Sequence, residues 1–236
     1  MFKKLTGIAL MLFFAGTSLL ADDALPGPSD SNFKSSKQKI SYALGMDIGK
    51  SVSDNNLAID IDFLIRGMRD VISDGKPLLS DDELRATLIA FQQEMQKKAL
   101  QEQQATAEKN RKEGEAFLAQ NKTKPGVMTL ANGLQYKIDR RGTGPVPKAT
   151  DKVRTHYKGT LIDGTVFDSS YERGEPVEFA VAGVIRGWTD ALQQMPVGSK
   201  WTLYIPAQLA YGANGSGPIG PNATLIFEIE LLGIVQ

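Results

Sequence analysis

The sequence predicts an α+β fold: a curled antiparallel sheet around one short helix in the carboxy-terminal half, preceded by an all-α region and a long stalk helix. Three observations carry this reading. Between residues 36 and 121, apolar residues recur at helical spacing or give way to strong helix formers, with one turn signal at Asp74-Gly75-Lys76-Pro77. From Pro125 onward the period switches from 3.6 to 2. A single helical pattern, Trp188-Thr189-Asp190-Ala191-Leu192, then interrupts the strands and must end before Pro196.

Taken in order, residues 1–21 read as a secretory signal peptide. Lys3 and Lys4 precede an apolar run at 8–14, and small residues lead to Ala21. The run is too short and wrongly flanked for a membrane span. Cleavage is expected after Ala21, with Ser18 as the alternative. The whole chain has 27 basic and 27 acidic residues, so net charge gives no nucleic-acid footprint and no nucleic-acid partner is expected. Loss of Lys3 and Lys4 leaves a net charge of about −2. There is no cysteine, which removes disulfides, thiolate metal sites, a cysteine nucleophile and the acylated cysteine of a lipoprotein. A periplasmic or secreted protein is expected, with association at the outer membrane or cell surface left open.

Residues 22–35 are polar and rich in Pro and Gly, a flexible tail. Residues 36–79 form the expected dimerisation region: Ile40, Leu44, Ile48 and Val52 stand four apart, and a second amphipathic segment carries Leu64, Met68, Val71 and Ile72. Residues 80–122 form the connecting helix. Ser80-Asp81-Asp82-Glu83 is a capping box with acidic residues against the helix dipole. Leu84, Leu88, Phe91 and Met95 make an apolar stripe that fades after Ala99. Helical throughout, residues 81–121 would run about 60 Å at roughly 1.5 Å per residue. Such a polar rod has little apolar surface to bury and would act as a stalk; disorder is the rival reading of 100–121. The apolar surface of 36–99 is small for an independent core, and oligomerisation is the common remedy below about 70–80 residues. A homodimer through residues 36–99 follows.

Residues 125–236 carry the chemistry. Leu134, Tyr136 and Ile138 alternate with polar residues, as do Val153, Thr155 and Tyr157, and Trp201, Leu203 and Ile205. Asp163-Gly164 is a hairpin turn signal. The last strand sets Leu225, Phe227, Ile229 and Leu231 on one side against Glu228 and Glu230 on the other, the signature of antiparallel strands with one wet face. The short helix is expected at 188–195, with Trp188 and Leu192 one turn apart on a shared face. Tyr157, Phe167, Tyr211 and Phe227 lie at strand ends in sequence on both sides of Trp188, so an aromatic floor with aromatic walls is a candidate pocket for a flat apolar ring.

Between the last two strands, four glycines fall within residues 212–220, suited to a mobile flap or to positive-φ turns. No phosphate-loop pattern is present. His156 is the only histidine and should point away from Tyr157 across the strand, a structural residue. No G-x-S-x-G elbow accompanies it, which speaks against a serine hydrolase. Asp168, taken alone, reads as a turn or salt-bridge residue. Catalysis here would use binding rather than a nucleophile, and no cofactor or metal is expected.

The stretches Val153 to Gly159, Asp163-Gly164-Thr165-Val166-Phe167-Asp168-Ser169-Ser170, Val184-Ile185-Arg186-Gly187-Trp188, Ala210-Tyr211-Gly212 and Pro221-Asn222-Ala223-Thr224-Leu225-Ile226-Phe227-Glu228 resemble the FKBP family of peptidyl-prolyl cis-trans isomerases. The helical half behind a signal peptide resembles the macrophage infectivity potentiator (Mip) group of that family. The resemblance implies an FKBP-like fold and X–Pro bond rotation in unfolded or exported polypeptides. It implies a proline ring on Trp188 within walls of Tyr157, Phe167, Val184, Ile185 and Phe227. The Ile185 N–H would hold a substrate carbonyl, Tyr211 would offer its hydroxyl, Asp168 would stand at the rim, and Arg173 would pair with it. Val177, where many relatives have a pocket aromatic, and Ile219 on the flap complete the substrate-binding set. Macrolide inhibitors of the family become possible ligands. The rival reading is a dimeric holdase that grips unfolded chains whatever their proline content; a host-interaction role rests on the Mip resemblance alone.

Overall fold

The computed structural model describes residues 33–73 and 75–235, so the signal-peptide segment and most of the 22–35 tail lie outside the described residues. The described chain falls into two compact units, one up to Phe91 and one from Gln92 onward.

In the first unit, capping decides where helices begin. Helix α1 (Ser36–Asp54) opens on Ser35, whose hydroxyl accepts from the Gln38 N–H at 3.3 Å. Helix α2 (Ile61–Ile72) opens on Asp60, which accepts from the N–H groups of Asp62 and Phe63. Helix α3 (Asp81–Asn121) has the reciprocal bonds of the capping box: Ser80 Oγ accepts from Glu83 N–H at 3.3 Å, and Glu83 accepts from Ser80 N–H at 2.8 Å. The Glu83 carboxyl is held below its ordinary value by the bonds that it accepts from the Ser80 N–H and the Ser80 hydroxyl. Neither α1 nor α2 has a buried residue. Within the single chain Ile40 is 59 % exposed and Phe63 62 %. Among the described residues, no helix is long and apolar enough to cross a membrane.

The second unit is built on a seven-stranded antiparallel sheet of order β1-β2-β6-β7-β3-β4, with β5 also paired to β3. The strands are β1 (Val127–Thr129), β2 (Gln135–Arg140), β3 (Lys152–Leu161), β4 (Val166–Ser169), β5 (Val177–Ala180), β6 (Lys200–Ile205) and β7 (Leu225–Val235). Alternation follows the expectation. Trp201, Leu203 and Ile205 on β6 and Leu225, Phe227, Ile229 and Leu231 on β7 are buried. The wet face is laced by Lys200–Glu228 at 3.2 Å and Arg140–Glu230 at 2.6 Å. One turn of helix, α4 (Ser170–Arg173), follows β4.

Helix α5 (Arg186–Leu192) closes the concave face, burying Trp188, Ala191 and Leu192. It starts and ends earlier than the expected 188–195. The Ile185 carbonyl already accepts from the N–H groups of Trp188 and Thr189, which draws Arg186 and Gly187 into the first turn. The close fit needs Gly187, where a Cβ would stand 2.5 Å from Ile205 Cγ2.

Helix α3 is continuous through residues 100–121, so the disordered alternative does not hold. Its last turns are not a free stalk. They dock on the sheet unit by one aromatic contact, Phe117 against Tyr204 at 6.0 Å between ring centroids, and otherwise by polar contacts, which left the fading stripe without a warning. Asn121, fully buried, donates to Gln135 Oε1 at 3.0 Å, and Gln135 Nε2 donates to the Leu118 carbonyl at 2.9 Å. Gly114 approaches so closely that a Cβ would lie 2.3 Å from Thr224 Oγ1.

Candidate active site

A cavity of about 610 Å³ opens on the concave side of the sheet. Its floor is the ring of Trp188, which is 3 % exposed. Three rings stand nearly edge-on to it: Phe227 at 5.2 Å and 86°, Tyr157 at 5.3 Å and 82°, and Phe179 at 5.5 Å and 79°. Phe167 meets Phe227 edge-on at 5.5 Å. Edge-to-face contacts of this kind favour a fixed arrangement of aromatic walls. Each ring reaches the site from a different element: Tyr157 from β3, Phe167 from β4, Phe179 from β5, Trp188 from α5 and Phe227 from β7.

Where β3 and β7 pair, Gly159 lies opposite Phe227. A Cβ on Gly159 would come within 2.6 Å of the Phe167 ring and 2.8 Å of the Phe227 ring. Both walls therefore rest directly on bare backbone. The β3–β4 register shifts between Gly159 and Thr160, and such bulges re-aim neighbouring side chains; here the shift lies beside Phe167 and Asp168.

Polar groups gather at the rim. Tyr157 donates its hydroxyl hydrogen to Asp168 Oδ2 at 2.6 Å, Arg173 Nη2 donates to the Tyr157 oxygen at 2.8 Å, and Arg173 Nη1 donates to Asp168 Oδ1. Partial burial pushes the Asp168 carboxyl upward, but the bonds from Tyr157 and Arg173 outweigh it, and the net value lies below the ordinary one. Burial first, and the carboxylate second, push the Tyr157 phenol up. The Ser170 hydroxyl accepts from the Tyr157 N–H at 2.8 Å and fixes the strand from behind. His156 lies across the strand, 3.0 Å from Ser170 Oγ and stacked on Tyr171.

Val184 and Ile185 line the cavity between β5 and α5. The Ile185 N–H makes no hydrogen bond to another described residue, which leaves a backbone donor at the wall. The Trp188 Nε1–H is likewise buried without a partner. Opposite stands the flap, whose Ser216 and Ile219 pair through two backbone bonds of 2.8 and 2.9 Å. Gly212, Gly215 and Gly217 all take positive φ there. Tyr211 and Ile219 line the cavity from this side.

Nine of the residues singled out in the sequence thus meet around one cavity. Arg173 stands behind Asp168 rather than in the lining, although its guanidinium lies over the Tyr157 ring at 5.6 Å. Val177 packs against the core and does not line the cavity; Phe179, two residues on, does. Phe179 and flap residues 216–218 were not foreseen as lining, and alternation of Val177 with Phe179 was the only signal for the former.

A family profile described as "FKBP-type peptidyl-prolyl cis-trans isomerase" matches residues 144–232, and one described as "Domain amino terminal to FKBP-type peptidyl-prolyl isomerase" matches residues 37–138. The chain belongs to the FKBP-type peptidyl-prolyl isomerases. It is 44 % identical over 232 residues to "Outer membrane protein MIP" of Legionella longbeachae, covering 98 % of this chain and 97 % of that protein. It is 39 % identical to the FKBP-type isomerase FkpA of Escherichia coli K12, covering 91 % of this chain and 82 % of that one. The crystal structure of Escherichia coli FkpA superposes with a TM-score of 0.70 at 40 % identity, over 86 % of this chain and 98 % of the other. The activity of this FKBP-type chain is accordingly cis-trans isomerisation of peptidyl-prolyl bonds, and its substrates are proline-containing polypeptides.

Proposed function

We propose that the cavity over Trp188 binds the substrate proline and twists its amide without covalent chemistry. The barrier to be lowered is about 18–20 kcal/mol and arises from amide resonance. The planar amide is the more polar form, so a dry aromatic pocket favours the twisted one. Donors fixed in place then bind the transition state better than the ground state. The Ile185 N–H holds a substrate carbonyl and Tyr211 offers its hydroxyl. Asp168, steadied by Tyr157 and Arg173, presents a fixed carboxylate near the rotating bond. Each tenfold acceleration takes only about 1.4 kcal/mol. The observation that carries this reading is the three rings set edge-on around Trp188 beside an unpaired backbone donor. The test is the cis-to-trans rate of a short X–Pro peptide with residues 22–236, with and without a macrolide of the kind that binds this family. Acceleration abolished by the macrolide is expected. Folded protein without acceleration would refute the reading and leave a holdase in its place.

We further propose that the protein is a homodimer joined through residues 36–99 and acts on exported proteins in the periplasm or at the cell surface, with 1–21 as its signal peptide. The exposed apolar faces of α1 and α2 support the dimer, because side chains such as Phe63 and Ile40 gain burial only against a partner. The pattern of residues 1–21 supports export. Native mass measurement on protein taken from the periplasmic fraction reads both points. A dimer whose subunits lack 1–21 is expected; a monomer at micromolar concentration, or a subunit of the full 25.6 kDa, refutes the corresponding claim.

A further inference from the structure

The flap is tied to helix α3 as well as to the sheet. Asn110 Nδ2 donates to the Pro221 carbonyl at 2.8 Å, and Asn222 Nδ2 donates to the Ala107 carbonyl at 3.3 Å. Asn222 takes a positive φ of 55°, and its N–H donates to the Gly212 carbonyl at 2.9 Å. The two ends of the flap therefore meet at Asn222, and α3 grips that meeting point. Gly220 lies so near that a Cβ would stand 3.0 Å from Asn110 Nδ2. Elsewhere the helix and the adjoining loop are separated by a second cavity of about 380 Å³, with Arg111 and Glu115 on the helix side and Pro206 to Gln208 across from them. Where side chains do not fill the space, hydrogen bonds set the spacing.

We propose that Asn110 is a positioning residue of the isomerase site, through which α3 sets how closely residues 216–219 lie over the bound substrate. This rests on the pocket assignment above. The floor, the Ile185 donor and Asp168 make no hydrogen bond to Asn110, and Tyr211 lies between core-anchored Leu209, two residues before it, and Gly212, whose bond from the Asn222 N–H does not involve Asn110. Releasing the clamp therefore loosens substrate contact and leaves the groups at the twisting amide in place. The effect falls on KM and spares kcat.

The test uses the full chain with Asn110→Asp, which keeps the shape of the side chain but cannot donate to Pro221. Asn110→Ala serves as a second variant. Two readouts are taken: hydrogen exchange at the Ser216 and Ile219 amides, and KM with kcat for an X–Pro peptide. Expected are faster exchange at both amides and KM raised about 3- to 10-fold, the worth of one hydrogen bond, with kcat within about twofold. Unchanged exchange in both variants overturns the clamp. Faster exchange with unchanged KM overturns its link to substrate. Ile219→Ala separates that outcome from failure of the pocket assignment: if it raises KM, only the link to α3 is lost, and if it also leaves KM unchanged, the pocket assignment falls and this proposal with it.

Discussion

Phe227→Ala is expected to destabilise the carboxy-terminal unit by about 3–5 kcal/mol and to lower kcat/KM about 10- to 100-fold. The ring is 5 % exposed and touches the walls and the floor of the cavity at once, through Phe167 and Trp188. Truncation removes its buried surface and leaves a void under Phe167 that bare Gly159 cannot fill. Burying one such side chain is worth about 1.5–3 kcal/mol, which sets the scale for the catalytic loss if the ring also contacts the proline. Phe227→Leu separates the two effects, because a substitution nearer in volume costs less than about 1.5 kcal/mol while abolishing the edge-on contact. Denaturant unfolding and the peptide assay on both variants decide the matter. A Phe227→Leu enzyme as fast as its parent would refute the ring's part in catalysis.

Asp168→Leu should slow isomerisation by about one to two orders of magnitude while the fold survives, a loss of roughly 1.4–2.7 kcal/mol in transition-state binding. The stability cost is small, about 1 kcal/mol, because the Asp168 side chain is 42 % exposed and solvent screens its pairing with Arg173. Its pH dependence has a defined sign. A carboxyl held below its ordinary value of about 4 contributes stability that is fully present above that value and is lost as pH falls through the lower folded value. Between pH 5 and 8 Asp168 stays ionised, so it imposes no pH dependence on the rate there; an acid limb from this group appears only below that range. Asp168→Asn keeps an acceptor for Tyr157 but removes the charge. If the Asn variant retains the parental rate, hydrogen bonding to Tyr157 suffices; if both variants do, Asp168 has no catalytic role.

What the sequence disclosed depended on how each element pays for its burial. β7 was legible because Glu228 and Glu230 face water while Phe227 and Ile229 face the core, and two environments leave a period of two. The short helix was legible from Trp188, Leu192 and Pro196, but its start was not, since the first turn is held by the Ile185 carbonyl and no side-chain cap marks it. Phe179 escaped notice because β5 has only four residues, and the destination of its ring follows from pairing with Val153 on a distant stretch of chain. The docking of α3 was hidden for a different reason. Beside the single ring of Phe117, Asn110, Asn121 and Asn222 make it with side-chain amides, two of them to backbone groups more than a hundred residues away. A polar residue on a polar helix carries no periodic signal of such a partner.

The bare backbone at Gly159 gives the pocket an unusual kind of calibration. The residue stands behind both aromatic walls, yet its missing methyl decides how far back those walls can sit. The bore of the cavity is thus governed by an atom the chain omits, outside the set of side chains that meet the substrate. Bore and side-chain chemistry can then drift separately: a narrower chamber, less open to bulky ligands, is reachable from this one position with no change to any side chain that lines the cavity.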